Sequence, residues 1–238
     1  MPWGGGACAP PPHGLRNGAS MARSRQRISL VGLTGGIGSG KSTALAYCHE
    51  LGAAVISSDD IVHALLSRGD VIEHVREHFG DAVVDGAGGV SRPALAGIVF
   101  ADDHALHWLE DLLHPYVRTA VDEWAATQRA GRQLPSLLVV EVPLLFETGF
   151  EKTFDYTILI TAPDEERRRR LSAKLTDVEF DRRVAQQMAE EDKILRSDFV
   201  FRNAGTRKEL KEFVGQTVAS ILAGGTAETE GSGSESPP

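Results

Sequence analysis

Short apolar runs alternate with longer stretches whose apolar residues recur every three or four positions between Arg27 and about Ala223. The short runs predict five strands, over 27–33, 53–57, 137–142, 155–161 and 198–202. The longer stretches predict helices over 41–51, 59–67, 70–78, 93–100, 103–129, 164–174, 177–189 and 206–222. Strands that alternate with helices in this way are typical of an α/β fold with a parallel sheet.

The block from 60 to 133 carries no strong strand signal and predicts a helical insertion between the second and third strands. Inside it, the cluster Asp85-Gly86-Ala87-Gly88-Gly89 predicts a turn. We therefore expect a single sheet-based domain over 27–223 with a helical subdomain inserted into it.

The two ends of the chain differ in composition from the part between them. Residues 1–26 are rich in Gly, Pro, Arg and Ser, contain no acidic residue, and predict a disordered extension. Prolines at positions 2 and 10–12 argue against an amphipathic transit helix, and our hypothesis is that Met21 is an alternative or true start. Residues 224–238 are acidic and of low complexity, which predicts a disordered tail.

Charge and cysteine content narrow the class of protein. The formal net charge of −8 argues against a general nucleic-acid or anionic-membrane binder, and no apolar run reaches the length of a membrane span. Cys8 and Cys48 do not suggest a disulfide framework, which favours a reducing, cytoplasmic compartment. His104 and His107 lie three apart, but no nearby Cys or third His completes a zinc set.

The stretch from Gly35 to Ser42 reads GGIGSGKS and lies between a predicted strand and a predicted helix. Its glycines allow backbone N–H groups to press against phosphate oxygens, and the following helix points its N-terminus at the anion. Lys41 can reach the β- and γ-phosphates, and the Ser42 hydroxyl can hold Mg²⁺. The alternative is a glycine-rich turn that matches by chance, but the context favours a P-loop NTPase fold that binds a nucleoside triphosphate.

The second predicted strand runs into Ser57-Ser58-Asp59-Asp60. Carboxyl ends of parallel strands share one edge of the sheet, so these carboxylates should lie near the phosphate loop. One of them can orient an acceptor hydroxyl and accept its proton. The structural alternative is helix capping by Ser58 or Asp59, and the two roles can be shared.

The third predicted strand ends at Glu141, which is followed by Pro143. Glu141 can bind Mg²⁺ through water, although Asp is the residue expected at that position of a P-loop protein. Pro143 prevents further pairing and turns the chain toward the site.

Arg167, Arg168, Arg169 and Arg170 follow the fourth strand. A run of this kind is usually a solvated helix face, and four consecutive residues cannot all point one way. One or two of them can close over a triphosphate and offset charge in the transition state. Lys174, one turn beyond Arg170, adds to this basic segment.

The chain closely resembles the dephospho-coenzyme A kinase family over roughly residues 27–222, because four segments occur in the order typical of that family. These segments are the phosphate loop, the Ser-Ser-Asp-Asp turn, Leu113-His114-Pro115 and Pro143-Leu144-Leu145-Phe146-Glu147. Arg183, Gln187, Lys193, Asp198 and Asn203 also fit that pattern. The resemblance implies ATP-dependent phosphorylation of the ribose 3′-hydroxyl of dephospho-CoA, with ATP and Mg²⁺. It also implies a five-stranded parallel core, a helical CoA-binding insertion over 60–133 and a helical lid over 164–195.

The resemblance also implies roles for individual residues. Asp59, Lys41 and Arg170 match the catalytic positions, and Ser42 matches the metal position. The acceptor nucleotide is expected at Thr34, Asp59, His114 and Arg118. The residues implied in ATP binding are Gly36, Ile37, Gly38, Ser39, Gly40, Lys41, Ser42, Thr43, Asn203 and Gly205.

One departure from the family pattern bears on the acceptor carboxylate. The family's usual strand end is Asp-x-Asp, and here Ser57 replaces the first Asp. Asp59 therefore matches the second Asp, which leaves Asp60 as the structural carboxylate.

Two other functions stay open at this point. One is another small-molecule P-loop kinase that acts on a nucleoside or nucleotide. The other is a nucleotide-gated switch, because Asp85-Gly86-Ala87-Gly88 matches a switch motif, although it does not follow a central strand. The oligomeric state is not predicted.

Overall fold

The computed structural model describes residues 27–224. The predictions for residues 1–26, including Met21 and Cys8, lie outside the described residues, as does nearly all of the predicted acidic tail.

Five parallel strands form one sheet in the order β2-β3-β1-β4-β5. Their bounds are Leu30–Gly35 for β1, Ala54–Ser57 for β2, Leu138–Glu141 for β3, Tyr156–Thr161 for β4 and Phe199–Arg202 for β5. All five predicted strands are confirmed, but β1 begins three residues later than expected and continues into the phosphate loop. It does so because Thr34 and Gly35 still pair with Leu159 and Ile160 of β4.

Alternate residues of the central strands face two separate cores, as the two-residue period of a strand requires. Val31 and Leu33 of β1 pack into the cluster that also holds Ala44 and Val214. Leu30 of β1 belongs instead to the larger cluster beneath the inserted helices. Both faces of the sheet are therefore covered, and its strands read as nearly continuous apolar runs.

Nine α-helices surround the sheet within residues 27–224. They are α1 Lys41–Glu50, α2 Ser58–Leu65, α3 Gly69–Phe79, α4 Arg92–Val99, α5 Asp103–Ala130, α6 Asp164–Leu171, α7 Asp177–Ala185, α8 Glu190–Arg196 and α9 Arg207–Leu222. Short 3₁₀ turns cover Asp81–Val83 and Phe150–Thr153.

The prediction of one helix over 177–189 was wrong at its C-terminal end. Helix α7 stops at Ala185, and the separate α8 was not predicted. The Met188 N–H donates to the carboxylate of Glu147, a residue 41 positions earlier in the chain. Local periodicity carries no information about such a tertiary bond, so the break between the two helices was not visible in the sequence.

Between β2 and β3 the chain is helical, with α2 to α5 in succession. Helix α5 is 28 residues long and continues through Pro115. Its buried residues recur every fourth position at Ala105, Leu109, Leu113, Val117, Val121 and Ala125. This stripe packs α5 against α2, α4 and β3. The turn predicted at 85–89 is present, because Asp85 accepts from the N–H of Gly88 and donates its own N–H to Gly89.

Among residues 27–224, no helix has both the length and the apolar character that a bilayer span requires. Cys48 lies buried in the core, where its neighbours include Ala44 and Val218.

The sheet order sets the position of the candidate site. Strand β1 lies between β3 and β4, and the chain runs from β1 to β2 toward one edge of the sheet but from β3 to β4 toward the other. Ligands of such sheets bind beyond the carboxyl ends of the strands at this reversal. The phosphate loop and the residues after β2 and β3 all end at this edge.

Candidate active site

The loop of residues 36–40 connects β1 to α1 and presents the N-terminus of that helix. Gly40 is the residue that caps α1, and no side chain bonds to the first turn. The free N–H groups of that turn, with the helix dipole, favour an anion at this point. The geometry agrees with the phosphate-binding function predicted for the loop.

Gly40 in the loop and Gly35 at the end of β1 must both be glycine, because of their backbone angles and because a Cβ would clash with a neighbouring atom. Gly40 has φ 109°, and a Cβ there would lie 2.4 Å from Nδ2 of Asn203. Gly35 has φ 150°, and a Cβ there would lie 2.0 Å from the carbonyl oxygen of Ile160. Any side chain at either position would force the loop away from the sheet.

The Lys41 ammonium folds back over the loop and donates to the carbonyl oxygens of Gly35 and Gly36, at 3.0 and 3.2 Å. Burial lowers the pKa of Lys41, whereas the charges of Glu141 and Asp59 act in the opposite direction. Lys41, Asp59 and Glu141 therefore lie within electrostatic reach of one another. The sequence predicted this convergence, and the structure brings the three residues together.

Glu141 at the end of β3 pairs in register with Leu33 of β1 on one side and Ser57 of β2 on the other. Burial raises the pKa of Glu141, and Lys41 and a hydrogen bond from Ser42 oppose that shift. The Ser42 hydroxyl thus lies near the Glu141 carboxylate. Together they supply the oxygen ligands that Mg²⁺ prefers.

Within residues 27–224, no group of three or more His, Cys, Asp or Glu side chains could hold a metal ion by itself. A magnesium site of a P-loop protein does not need such a group, because Mg²⁺ keeps several waters and binds phosphate oxygens. The Ser42 hydroxyl beside a buried carboxylate fits that ion. His104 and His107 belong to no such group among the described residues.

Ser57 is the residue that caps α2: its hydroxyl accepts the N–H of Asp59 at 3.2 Å. The structural alternative, capping by Ser58 or Asp59, was therefore wrong by one residue, because Ser57 is the last residue with extended backbone angles. The Asp59 side chain is exposed, and within the described part of the chain its carboxylate has no hydrogen bond or ion pair. This leaves the carboxylate available for a substrate.

Asp59 lies at one side of a cavity of about 250 Å³ between α2, α5 and the turn after β3. The walls are mainly apolar, and the polar side chains that reach the cavity come from Ser58, Asp59, Glu110, His114 and Thr148. The apolar wall residues are Val62, Leu109, Leu113, Val117, Val142, Pro143, Leu144 and Phe150. An apolar cavity with a few polar groups is the usual form of a small-molecule site.

The residues expected around the acceptor lie in three different settings. His114 lines the cavity together with Asp59. Arg118 supports the cavity wall, because its guanidinium donates to the carbonyl oxygen of Thr148 at 2.9 Å and lies 4.6 Å from the Phe150 ring centroid. Thr34 is fully buried and donates its hydroxyl to the carbonyl oxygen of Pro143 at 3.3 Å. Thr34 therefore fixes the turn behind the cavity and does not line it.

Arg170 bridges α6 to the outside of the phosphate loop. Its guanidinium donates to the carbonyl oxygens of Gly38 and Ser39, both at 3.2 Å, and of Asn203 at 3.0 Å. The structure thus brings the predicted lid arginine to the loop. In this conformation it contacts carbonyl groups.

Asn203 and Gly205 follow β5 and differ in accessibility. The buried Asn203 side chain donates to the carbonyl oxygen of Ser39 at 2.7 Å and so holds the loop in place. Gly205 is exposed, and a Cβ there would lie 1.7 Å from a carboxylate oxygen of Glu209. Glu209 and Thr206 form the capping box of α9, so Gly205 makes room for that cap.

Sequence reasoning named Arg167 and Lys193 but missed that both side chains are buried. Arg167 is buried, with 7% of its surface exposed, and its guanidinium lies against Gly36. Lys193 is also buried and pairs with Glu147, and its charge lowers the pKa of Lys41. The sequence placed Arg167 in a run typical of a solvated helix face and Lys193 among the residues that fit the family pattern, and basic side chains are usually solvent-exposed, so neither burial was expected.

Comparison with known proteins supports one family. A sequence model of dephospho-CoA kinase matches residues 29–209. The dephospho-CoA kinase of Symbiobacterium thermophilum is 36% identical over 211 residues, which cover 87% of this chain and 84% of that protein. The dephospho-CoA kinase of Thermus thermophilus is 36% identical over 206 residues, which cover 86% of this chain and 97% of that protein.

Solved structures agree at the level of the fold. A crystal structure of a Thermus thermophilus protein superposes with a TM-score of 0.69 at 35% identity, covering 85% of this chain and all of that one. Dephospho-CoA kinase from Campylobacter jejuni superposes with a TM-score of 0.63 at 24% identity, and the match covers 82% of this chain and 98% of that one. The second likeness is evidence for the fold alone.

Proposed function

The chain belongs to the dephospho-CoA kinase family, and we propose that Asp59, Lys41 and Arg170 carry the transfer of phosphate from ATP to the 3′-hydroxyl of dephospho-CoA. This reaction is the final step of coenzyme A synthesis. The observation that carries the assignment is the free Asp59 carboxylate, which lines the cavity and lies within electrostatic reach of Lys41. Donor and acceptor can meet between these two residues.

The proposed reaction is a direct, in-line displacement. The acceptor 3′-oxygen forms a bond to the γ-phosphorus while the bond to the bridging oxygen of ADP breaks, and that oxygen keeps the electron pair. The Asp59 carboxylate orients the hydroxyl and accepts its proton. Lys41 and Arg170 offset the charge on the phosphates.

Mg²⁺ is proposed at Ser42, with Glu141 as the nearby carboxylate. Bound there, the ion neutralises charge on the β- and γ-phosphates. The Ser42 hydroxyl lies near the Glu141 carboxylate, so both oxygens are available in one place. A carboxylate whose pKa is raised by burial gains most from a nearby cation.

Binding of ATP is proposed along the loop residues 36–43 and at the segment of Asn203 and Gly205. The N–H groups at the start of α1 contact the phosphates. Asn203 acts through the loop, because its side chain already holds the Ser39 carbonyl group. Gly205 allows the backbone after β5 to approach the base.

The helices between β2 and β3, over 60–133, are proposed to hold the acceptor, with His114 in the cavity and Arg118 at its wall. Thr34 is proposed to act indirectly, through the turn that it fixes at Pro143. Neither nucleic acid nor a membrane is proposed as a partner, and the compartment proposed is the cytoplasm.

Residues 164–195 are proposed as the lid. Closure over ATP keeps water from competing with the acceptor for the γ-phosphoryl group. Arg170 already links α6 to the loop. Helix α8 is the anchored end of the lid, because Lys193 and Arg196 both form ion pairs with carboxylates of the segment after β3.

The function is tested by product analysis. Purified protein is incubated with Mg-ATP and dephospho-CoA, and the products are separated and identified by mass spectrometry. We expect coenzyme A, which is dephospho-CoA with one phosphate added at the 3′ position, and one ADP for each molecule of coenzyme A. In parallel, adenosine and AMP, which are smaller than dephospho-CoA, are offered as acceptors at the same concentration. Preferred phosphorylation of one of these, with no coenzyme A formed, would contradict the proposed acceptor.

A further inference from the structure

The four consecutive arginines of α6 occupy four different environments. Arg169 is mostly exposed and pairs with Glu166. Arg168 pairs with Asp177 and Asp181 of α7. Arg170 contacts loop carbonyl groups, and Arg167 is the buried member of the run. The run is therefore not a uniform solvated face, and Arg167 calls for a separate explanation.

The Arg167 guanidinium lies against the first residue after β1. Its Nη1 is 2.6 Å from the point that a Cβ on Gly36 would occupy, and the side-chain oxygen of Gln187 is 3.6 Å from the same point. Only a glycine at position 36 leaves room for this approach. The cation is thereby held on the phosphate loop at the turn that precedes Lys41.

The hydrogen bonds of Arg167 are incomplete. One terminal nitrogen pairs with Asp164, and the side chain packs over the ring of Phe180 at 5.6 Å. Its Nε is buried and has no partner among the residues that the structure describes. A buried N–H group without a partner is costly, and such groups are found where a ligand or a function uses them.

The position of Arg167 differs from that of Arg170 in a way that matters for a phosphate. In this conformation the Arg170 guanidinium is occupied by carbonyl oxygens of Gly38 and Ser39 on the outside of the loop. The charge of Arg167 instead contributes to the lowered pKa of Lys41, together with burial, which is the main cause. Arg167 therefore lies within electrostatic reach of Lys41, the residue that reaches the β- and γ-phosphates.

We propose that Arg167 is a further catalytic residue, whose guanidinium contacts the γ-phosphoryl group of ATP during transfer. This rests on the proposed function of the site. As the bond from the acceptor oxygen to the γ-phosphorus forms and the bond to ADP breaks, negative charge spreads over the phosphoryl oxygens. Arg167 gains and loses no proton and stabilises that charge. Arg170 acts from the other side of the loop.

The test compares Arg167→Gln with Arg169→Gln, which makes the same charge change on the same helix at an exposed position. We expect Arg167→Gln to lower kcat for phosphoryl transfer by about 100-fold or more, with a smaller change in the Kd of ATP. Arg169→Gln should stay within about twofold of the unchanged protein. Equal kcat values for the two variants, or a raised Kd without a change in kcat, would overturn the proposal.

A second variant covers the case in which Arg167→Gln does not fold. Arg167→Lys keeps the charge that pairs with Asp164 but loses the planar geometry of the guanidinium. We expect an unfolding midpoint near that of the unchanged protein and kcat lowered by about tenfold or more. An unchanged kcat in a folded Arg167→Lys protein would contradict the proposal.

Failure of this inference can be told apart from failure of the proposed function. Turnover of the unchanged protein is recorded with dephospho-CoA and with the other acceptors, and the variants are compared on whichever acceptor is phosphorylated. If the unchanged protein phosphorylates a different acceptor, dephospho-CoA is ruled out as the substrate. The kcat values of the variants on that acceptor then still support or contradict the role of Arg167. Absence of transfer to every acceptor would end both.

Discussion

The ammonium group of Lys193 lies 2.7 Å from Oε1 of Glu147 in the interior of the protein, and only 3% of the lysine side chain is exposed. The same oxygen accepts the N–H of Met188. One carboxylate after β3 thus holds both α8 and the segment before it. Because Thr148 lines the cavity proposed to hold the acceptor, this ion pair joins the proposed lid segment to that side of the site.

Lys193→Met should destabilise the protein strongly. The variant leaves the Glu147 carboxylate buried without its cation, and breaking a buried pair from one side costs about 3–5 kcal/mol. The free energy of unfolding, measured with urea, checks this. The matched control is Lys211→Met, because Lys211 pairs with Glu50 at the surface, where both side chains are about half exposed. The control should change stability little, and equal effects in the two variants would contradict the buried character of the Lys193 pair.

Gly40→Ala should remove ATP binding. The new methyl group would meet the Asn203 side chain at 2.4 Å, and φ 109° is unfavourable for alanine. We expect the Kd of ATP, measured by calorimetry, to rise by about 100-fold or more, because the loop cannot keep its shape.

The control for this variant is Gly215→Ala in α9, where nothing lies within 4 Å of the new methyl group. This change should leave ATP binding unaltered and should stabilise the protein by about 1 kcal/mol, as expected for glycine within a helix. Tight ATP binding by Gly40→Ala would show that the Asn203 contact does not fix the loop.

Val62→Phe should weaken acceptor binding and spare ATP. Val62 lines the cavity one turn after Asp59, and a larger side chain there fills space that the acceptor needs. We expect the KM for dephospho-CoA to rise by about tenfold or more while the Kd of ATP is unchanged. Val178→Phe, at a position that is 78% exposed on α7, should alter neither. A rise in the Kd of ATP alone would place the donor in this cavity instead.

Cys48 should make the stability depend on alkaline pH. Burial raises its pKa to about 11 from an ordinary value of 9.0. Between these values the folded protein keeps a proton that the unfolded chain loses. The free energy of unfolding therefore falls as pH rises from 9 to 11, by about 1.4 kcal/mol per pH unit at most. Urea titrations of the unchanged protein and of Cys48→Ala check this: the variant should lack that part of the slope, and identical slopes would contradict the shifted pKa.

The parts of the site that could be predicted from the sequence are those carried by consecutive residues. The phosphate loop, its flanking strand and helix, and the two carboxylates after β2 are short stretches whose chemistry is encoded locally. All five strands followed from apolar runs because both faces of the sheet are buried. The cap of α2 was misplaced because Ser57, Ser58 and Asp59 are all good capping residues.

The parts that could not be predicted depend on how separate helices pack. Helical periodicity cannot tell which of four consecutive arginines faces the loop, because that depends on the rotation of α6 against Gly36 and Gly38. The end of α7 and the start of α8 depend on a bond from Met188 to Glu147. Neither relation leaves a local pattern.

Asp59 and Asp60 are adjacent exposed carboxylates, and only Asp59 lines the cavity. This makes Asp60→Asn the matched control for the central claim, that Asp59 orients the acceptor hydroxyl for direct transfer. The measurement is single-turnover transfer from labelled ATP to dephospho-CoA in both variants. Asp59→Asn should slow the transfer by about 100-fold or more with ATP binding retained, and Asp60→Asn should slow it by less than about tenfold. Near-normal transfer by Asp59→Asn, or equal loss in both variants, would contradict the assignment.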